Sequence, residues 1–100
     1  MRKYALITGG TKGIGKAVAT MLAEAGYNLV LTYENDEVSA KLAQRELAEN
    51  FPAEVFILQA DIASERSIEL IDTFLDKHKI RLFSLIFNAG ITSRPTLEEI

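Results

Sequence analysis

The 100-residue sequence has no cysteine, no tryptophan, a single histidine and only two prolines. Without cysteine there is no disulfide, no thiolate catalysis and no cysteine-based zinc or iron–sulfur centre. His78, the one histidine, leaves little from which to build a metal site, so none is expected. No apolar stretch approaches the roughly 20 residues that a membrane-spanning helix needs. Arg2-Lys3 leads only into a short strand-like run, so neither a signal peptide nor a transmembrane helix is expected. Basic charge is not in excess either: 11 Lys and Arg against 14 Asp and Glu leave a net charge of −3, with no field to attract nucleic acid. These absences predict a cytoplasmic protein with a small-molecule ligand, no nucleic-acid partner and no membrane partner. The length allows one domain, or part of one.

What is present is an alternation of two periods. Compact apolar runs occur at Ala5-Leu6-Ile7, Leu29-Val30-Leu31, Val55-Phe56-Ile57-Leu58 and Leu82-Phe83-Ser84-Leu85-Ile86-Phe87. They are too apolar for half-exposed strands and suit strands covered on both faces, as in a parallel sheet. Between them lie segments with helical spacing: Ile14, Val18, Met21, Leu22 and Ala25; then Val38, Leu42 and Leu47; then Ile68, Ile71 and Leu75. Gly26 is placed to close the first helix, and Asp36 and Ser64 to cap the second and third. Lys77, His78 and Lys79 sit where a helix C-terminus favours cations. The order is βαβαβαβ, an α/β doubly wound parallel sheet whose right-handed crossovers put helices on both faces. Ligands of such sheets bind outside the carboxyl ends of the strands, where strand order reverses.

The chemistry-bearing residues fall at those ends. Thr8-Gly9-Gly10-Thr11-Lys12-Gly13-Ile14-Gly15 links the first strand to the first helix, Tyr33-Glu34 follows the second strand, Asp61-Ile62 the third and Asn88-Ala89-Gly90 the fourth. A glycine-rich turn into a helix is a place to hold phosphate: glycine tolerates positive φ and close approach, and the first amides of the helix point at the bound anion. The bland alternatives are a glycine turn that only connects strand to helix, an Asp61 that only caps, and an Asn88 that only braces a strand end. Among specific motifs, Gly10 to Lys16 spells G-x-x-x-x-G-K, but a P-loop needs a hydroxyl next and the sequence has Ala17. G-x-G-x-x-G begins at Gly13-Ile14-Gly15 and then meets Val18 in place of its third glycine.

T-G-x-x-x-G-x-G is met in full by Thr8, Gly9, Gly13 and Gly15. With it, with Asp61-Ile62 and with Asn88-Ala89-Gly90, the chain resembles the short-chain dehydrogenase/reductase family over essentially its whole length. One position departs: Phe87 stands where the family's N-N-A-G segment has its first asparagine. The resemblance implies a Rossmann-like domain that binds a nicotinamide cofactor through Gly9, Thr11, Lys12, Gly13, Ile14, Gly15, Tyr33, Glu34, Asp61, Ile62, Asn88, Ala89 and Gly90. Gly9 would permit the tight exit from the strand, Gly13 and Gly15 the approach of the cofactor, and Ile14 would offer its N–H while its side chain packs inward. Asp61 would contact the adenine, and Thr11 and Lys12 would face the adenosine end.

Cofactor choice turns on charge at the adenosine ribose. Lys12 in the glycine loop, and Tyr33 where an acidic discriminator would stand, favour NADP(H), since a lysine pairs directly with a 2′-phosphate. Glu34 lies about twenty residues beyond the glycines, the spacing of a ribose-binding acid, and keeps NAD(H) open.

The family's chemistry is hydride transfer to or from a carbonyl or alcohol, with a catalytic tyrosine, a lysine four residues on and an upstream serine. None of Tyr4, Tyr27 and Tyr33 has a lysine four residues on, and Ser93 comes too early. No catalytic residue is therefore assigned. His78 is placed as a partner of a helix C-terminus and not as a base. Residues 1–100 are expected to be the cofactor-binding part of an oxidoreductase, truncated before the catalytic segment, inactive alone and exposing an edge at the fourth strand. Asn88 to Thr92 is similar to bacterial 3-oxoacyl-carrier-protein reductases, implying a ketone substrate and a homo-oligomeric parent. The alternatives are a noncatalytic nucleotide-binding or regulatory module and a P-loop phosphotransferase fragment.

Overall fold

A computed structural model describes residues 3–87. Its elements are β1 (Tyr4–Ile7), α1 (Gly13–Glu24), β2 (Asn28–Tyr33), α2 (Glu37–Asn50), β3 (Val55–Gln59), α3 (Arg66–Lys77) and β4 (Leu82–Ile86). The four strands form one sheet in the order β3-β2-β1-β4, and each neighbouring pair is parallel. The chain therefore steps outward from β1 to β3 and returns to place β4 on the other side of β1. That reversal makes the carboxyl ends of β1 and β4 the switch point of the sheet.

Two apolar clusters sandwich the sheet. On one face Ala5, Ile7, Leu29, Leu31 and Val55 meet Ala19 and Ala23 of α1 and Leu47 of α2. On the other, Leu6 and Val30 meet Ile71, Phe74 and Leu75 of α3. Helices on both faces are what right-handed crossovers from a reversing strand order require. Burial on both faces, anticipated for all four strands, holds for β1 and β2, where Ala5, Leu6, Ile7, Leu29, Val30 and Leu31 have no exposure. The outer strands differ: Phe83, Leu85 and Phe87 are more than half exposed. A register shift between Tyr4 and Ala5 leaves Phe83 as the extra residue of β4. Its ring lies 5.9 Å from that of Tyr27, with Lys3 Nζ 4.1 Å from its centroid.

The helix ends follow their sequence signals. Gly26 adopts φ 101°; its N–H donates to Ala23 O, and the Tyr27 N–H to Leu22 O, both at 3.0 Å, a Schellman closure of α1. Asp36 caps α2, with Oδ1 accepting from the Ser39 N–H at 3.0 Å. At α3 Ser64 supplies the capping hydroxyl, since Glu65 already has the helical angles φ −61° and ψ −28°. The helix starts at Arg66 behind Glu65, whose side chain makes no cap bond. Ser64 Oγ accepts from the Arg66 N–H at 3.2 Å, and Ser67 Oγ donates to Ser64 O at 2.7 Å. Upstream, the Ala63 and Ser64 N–H groups are taken up by Asp61, in the turn that leads into the helix.

The helix faces also need correction. Met21, Val38 and Ile68, read as inward from their spacing, are 67%, 79% and 73% exposed, and Ile14 and Leu42 are exposed too. The inward stripes are instead Gly15, Ala19 and Ala23 on α1 and Ala40, Ala43 and Leu47 on α2. Both stripes have helical spacing, and the small residues are the ones that let a helix lie close against a sheet.

Candidate nucleotide-binding site

The glycine loop is anchored on both sides of its strand. The Thr8 N–H donates to Ile86 O of β4 at 3.0 Å, and the Gly9 N–H donates to Thr32 Oγ1 of β2 at 3.1 Å. Thr8, Thr11 and Thr32 are all buried beneath the loop. Gly9 has φ 64° and Gly13 φ 57°, the left-handed region that a side chain disfavours. Gly10 is needed for a different reason: a Cβ there would lie 2.8 Å from Leu31 Cδ2 and 3.1 Å from Ile7 O, inside the core. At Gly13 a Cβ would meet nothing within 4 Å, so the space beside the helix start is open.

The start of α1 is electrostatically bare. Lys12 occupies the N-cap position without a side-chain cap bond, and the first turn carries no acidic residue. The helix thus presents its first amides and the positive end of its dipole to the open space beside Gly13, which suits an anion. By contrast α2 is capped by Asp36 and has Glu37 in its first turn. A phosphate-bearing cofactor fits the former and not the latter.

The other strand ends meet this loop. The Tyr33 carbonyl accepts from the Ala60 N–H at 2.9 Å, and the Glu34 carbonyl from Gln59 Nε2 at 2.9 Å, which holds the ends of β2 and β3 together. Glu34 is exposed, and its carboxyl is pushed above the ordinary glutamate range, first by a hydrogen bond with the Asp61 side chain and then by the charge of that group. Asp61 also accepts the Ala63 N–H on Oδ1 at 3.0 Å, so it makes a turn while it faces Glu34. Ile62 beside it is half-buried. Lys12 Nζ, 3.5 Å from Asp36 Oδ2, joins the glycine loop to the start of α2.

Of the residues anticipated from sequence, Gly9, Thr11 and Lys12 build the loop, Gly13 opens α1, and Glu34 and Asp61 face one another beyond it. Ile14 departs from its expected inward packing: it is 61% exposed, because Gly15, Ala19 and Ala23 take the inner face of α1 and leave Ile14 rotated toward solvent. Gly15 is itself buried in that inner face. Asn88, Ala89 and Gly90 lie outside the described residues. Three contributors were not anticipated: Gly10, Thr32 and the partnership of Asp36 with Lys12. Thr32 carried a readable signal, being the hydroxyl that follows the apolar run Leu29-Val30-Leu31. His78 sits at the C-cap of α3, its ring 4.4 Å from Phe74 and 5.0 Å from Phe56, in an aromatic cluster.

Among the described residues no group of three or more acidic, histidine or cysteine side chains is gathered for a metal. Nor is any helix among them long and apolar enough to cross a membrane.

Comparison with known proteins adds to this geometry. The family model described as short chain dehydrogenase matches residues 3–100. An uncharacterized oxidoreductase of Escherichia coli, YgfF, is 38% identical over 87 residues, covering 87% of this chain and 35% of that protein. A 3-oxoacyl-[acyl-carrier-protein] reductase of Synechocystis is 40% identical over 96 residues, covering 95% of this chain and 38% of that protein. Among solved structures, L-sorbose reductase from Gluconobacter frateurii, complexed with NADPH and L-sorbose, matches with a TM-score of 0.85 and 29% identity over 99% of this chain and 37% of its own. The chain thus spans little more than a third of the length of these proteins.

Proposed function

This chain belongs to the short-chain dehydrogenase family, and from that premise we propose that it is the cofactor-binding part of an NADP(H)-dependent oxidoreductase of the carbonyl reductase or alcohol dehydrogenase type. The observation that carries the reading is the bare start of α1 at the sheet's switch point, uncapped, free of acid in its first turn and open beside Gly13. The nicotinamide supplies or accepts the hydride. This chain's residues bind and orient. The amides at the start of α1 hold the pyrophosphate, and Gly9 and Gly13 give the loop the backbone angles that bring those amides to it. Tyr33, Glu34, Asp61 and Ile62 line the adenosine end; Asn88, Ala89 and Gly90, outside the described residues, are assigned to the cofactor on their motif.

Lys12 supports NADP(H) over NAD(H), since its ammonium stands exposed at the loop and can pair with a 2′-phosphate. Glu34, the residue that would favour NAD(H), lies beside a second carboxyl, that of Asp61, whose hydrogen bond and charge raise its pKa. The L-sorbose reductase that matches in fold was solved with NADPH. The substrate class is a small ketone or its alcohol, in line with the Synechocystis relative's name, and the parent enzyme is cytoplasmic and homo-oligomeric.

The test is cofactor binding followed by fluorescence titration. Lys12→Ala should weaken NADPH about ten-fold and leave NADH nearly unchanged, as expected for a lost charge-assisted contact. Equal losses for both cofactors would remove the NADP(H) assignment.

A further inference from the structure

We propose that Asp36 is a specificity-determining residue of this site: it is the internal counter-charge that Lys12 must give up before a 2′-phosphate can take its place. The inference rests on the NADP(H) reading above. Lys12 Nζ and Asp36 Oδ2 are 3.5 Å apart across 24 residues of sequence, a contact between the glycine loop and the start of α2. The two partners are held very differently. Asp36 is anchored, its Oδ1 accepting the Ser39 N–H at 3.0 Å and its Oδ2 accepting the Ser39 hydroxyl at 2.8 Å. Lys12 is bound by no more than a long contact, and its side chain is 64% exposed. The cation can therefore leave while the carboxylate stays.

The surrounding charges isolate this pair. Glu37, next along α2, is paired with Lys41 at 3.2 Å. Lys16, one turn along α1, is paired with Glu46. Glu34 is turned to Asp61. Ser39 first, and Lys12 second, hold the Asp36 carboxyl below the ordinary aspartate range, so it is ionised at neutral pH.

An entering 2′-phosphate pairs with Lys12 at the edge of an anchored carboxylate that cannot follow the lysine away. A 2′-hydroxyl meets no such repulsion. Asp36 thus works against the 2′-phosphate that Lys12 attracts and sets how strongly the site prefers NADP(H). Removing the charge without the cap should steepen the preference, and asparagine does this, because it caps helices as well as aspartate.

The experiment titrates this chain with adenosine 2′,5′-bisphosphate and with 5′-AMP, which carry the adenosine end of the two cofactors. Asp36→Asn should tighten the bisphosphate roughly three- to ten-fold and leave AMP unchanged, the size expected for one carboxylate near a phosphate in solvent. The gain should shrink in high salt and, in the Lys12→Ala background, fall to the part that comes from direct repulsion by the carboxylate. A bisphosphate affinity that is unchanged or weaker in Asp36→Asn, with Lys12→Ala still selective against the bisphosphate, overturns the role of Asp36 alone. Lys12→Ala weakening both nucleotides equally overturns the NADP(H) reading beneath it. Should the asparagine variant fail to fold by circular dichroism, Asp36→Ser, an alternative uncharged cap, carries the same test.

Discussion

The two faces of the sheet are built to different standards. On the α1 and α2 face eight buried residues, from Ala5 to Val55, join into one cluster that reaches the glycine loop. On the α3 face the buried cluster is Leu6, Val30 and Ile80, completed by half-buried side chains, and the buried residue of α3 itself is Ser67. The β4 edge beyond leaves Phe83, Leu85 and Phe87 exposed among the described residues. The difference shows where rigidity is concentrated. The glycine loop is held by Thr32 and by the close fit of Gly10 over Leu31 and Ile7, so its backbone is set before any ligand arrives. That arrangement reduces the ordering cost of binding.

Four substitutions break or sharpen the comparison. The largest effect belongs to the tight face: Leu29→Ala, at a fully buried position, should cost about 2–5 kcal/mol in urea unfolding. Leu85→Ala, 60% exposed, should cost less than about 0.5 kcal/mol, and equal losses would erase the distinction between the faces. Next comes the loop itself. Gly10→Ala places a methyl 2.8 Å from a buried leucine methyl and 3.1 Å from a backbone oxygen, and should cost about 1–3 kcal/mol. It should also weaken NADPH binding, because the loop must shift outward to accept it. Wild-type stability in this variant would show that the loop is slack.

A smaller effect than that of Gly10→Ala probes the α3 face. Lys79 has φ 57°, with its N–H donating to Asp76 O at 3.1 Å and the Ile80 N–H to Leu75 O at 2.8 Å. This is the same closure that Gly26 gives α1, made by a residue with a Cβ. Lys79→Gly should therefore add about 0.5–1 kcal/mol. A gain seen in global unfolding would join α3 to the same cooperative unit as the glycine loop. A gain confined to amide exchange within α3 would show that the looser face opens by itself.

Much of the architecture was legible in residue order. The apolar runs and intervening helical spacings located every described strand and helix, and continuous apolarity identified the parallel central strands. Gly26 and Asp36 stood where their caps formed. The inward faces of the helices were less legible, because α2 carries two stripes of helical spacing. The larger side chains, Val38 and Leu42, carry the apolar spacing, whereas Ala40 and Ala43 are the buried ones. Size is not burial when a helix lies close to a sheet. Ile14 was misread for the same reason. Gly10 was hidden in another way: next to Gly9 it looked like further loop flexibility, and its need arises from Leu31, which is distant in sequence.

By itself the sequence determined what local chemistry can specify: the alternation of strand and helix, the parallel sense of the sheet, the left-handed turns at glycine, and the motif that places the chain in its family. These depend on residues within a few positions of one another, where periodicity and backbone sterics act directly. Tertiary structure alone decided which of two helical stripes turned inward, that Thr32 would accept the Gly9 amide, and that Lys12 would stand beside Asp36. Each of those outcomes pairs groups about two dozen residues apart or selects between equally periodic faces. Only the packing of β1 against β2, with α1 and α2 laid across them, brings such groups within bonding distance.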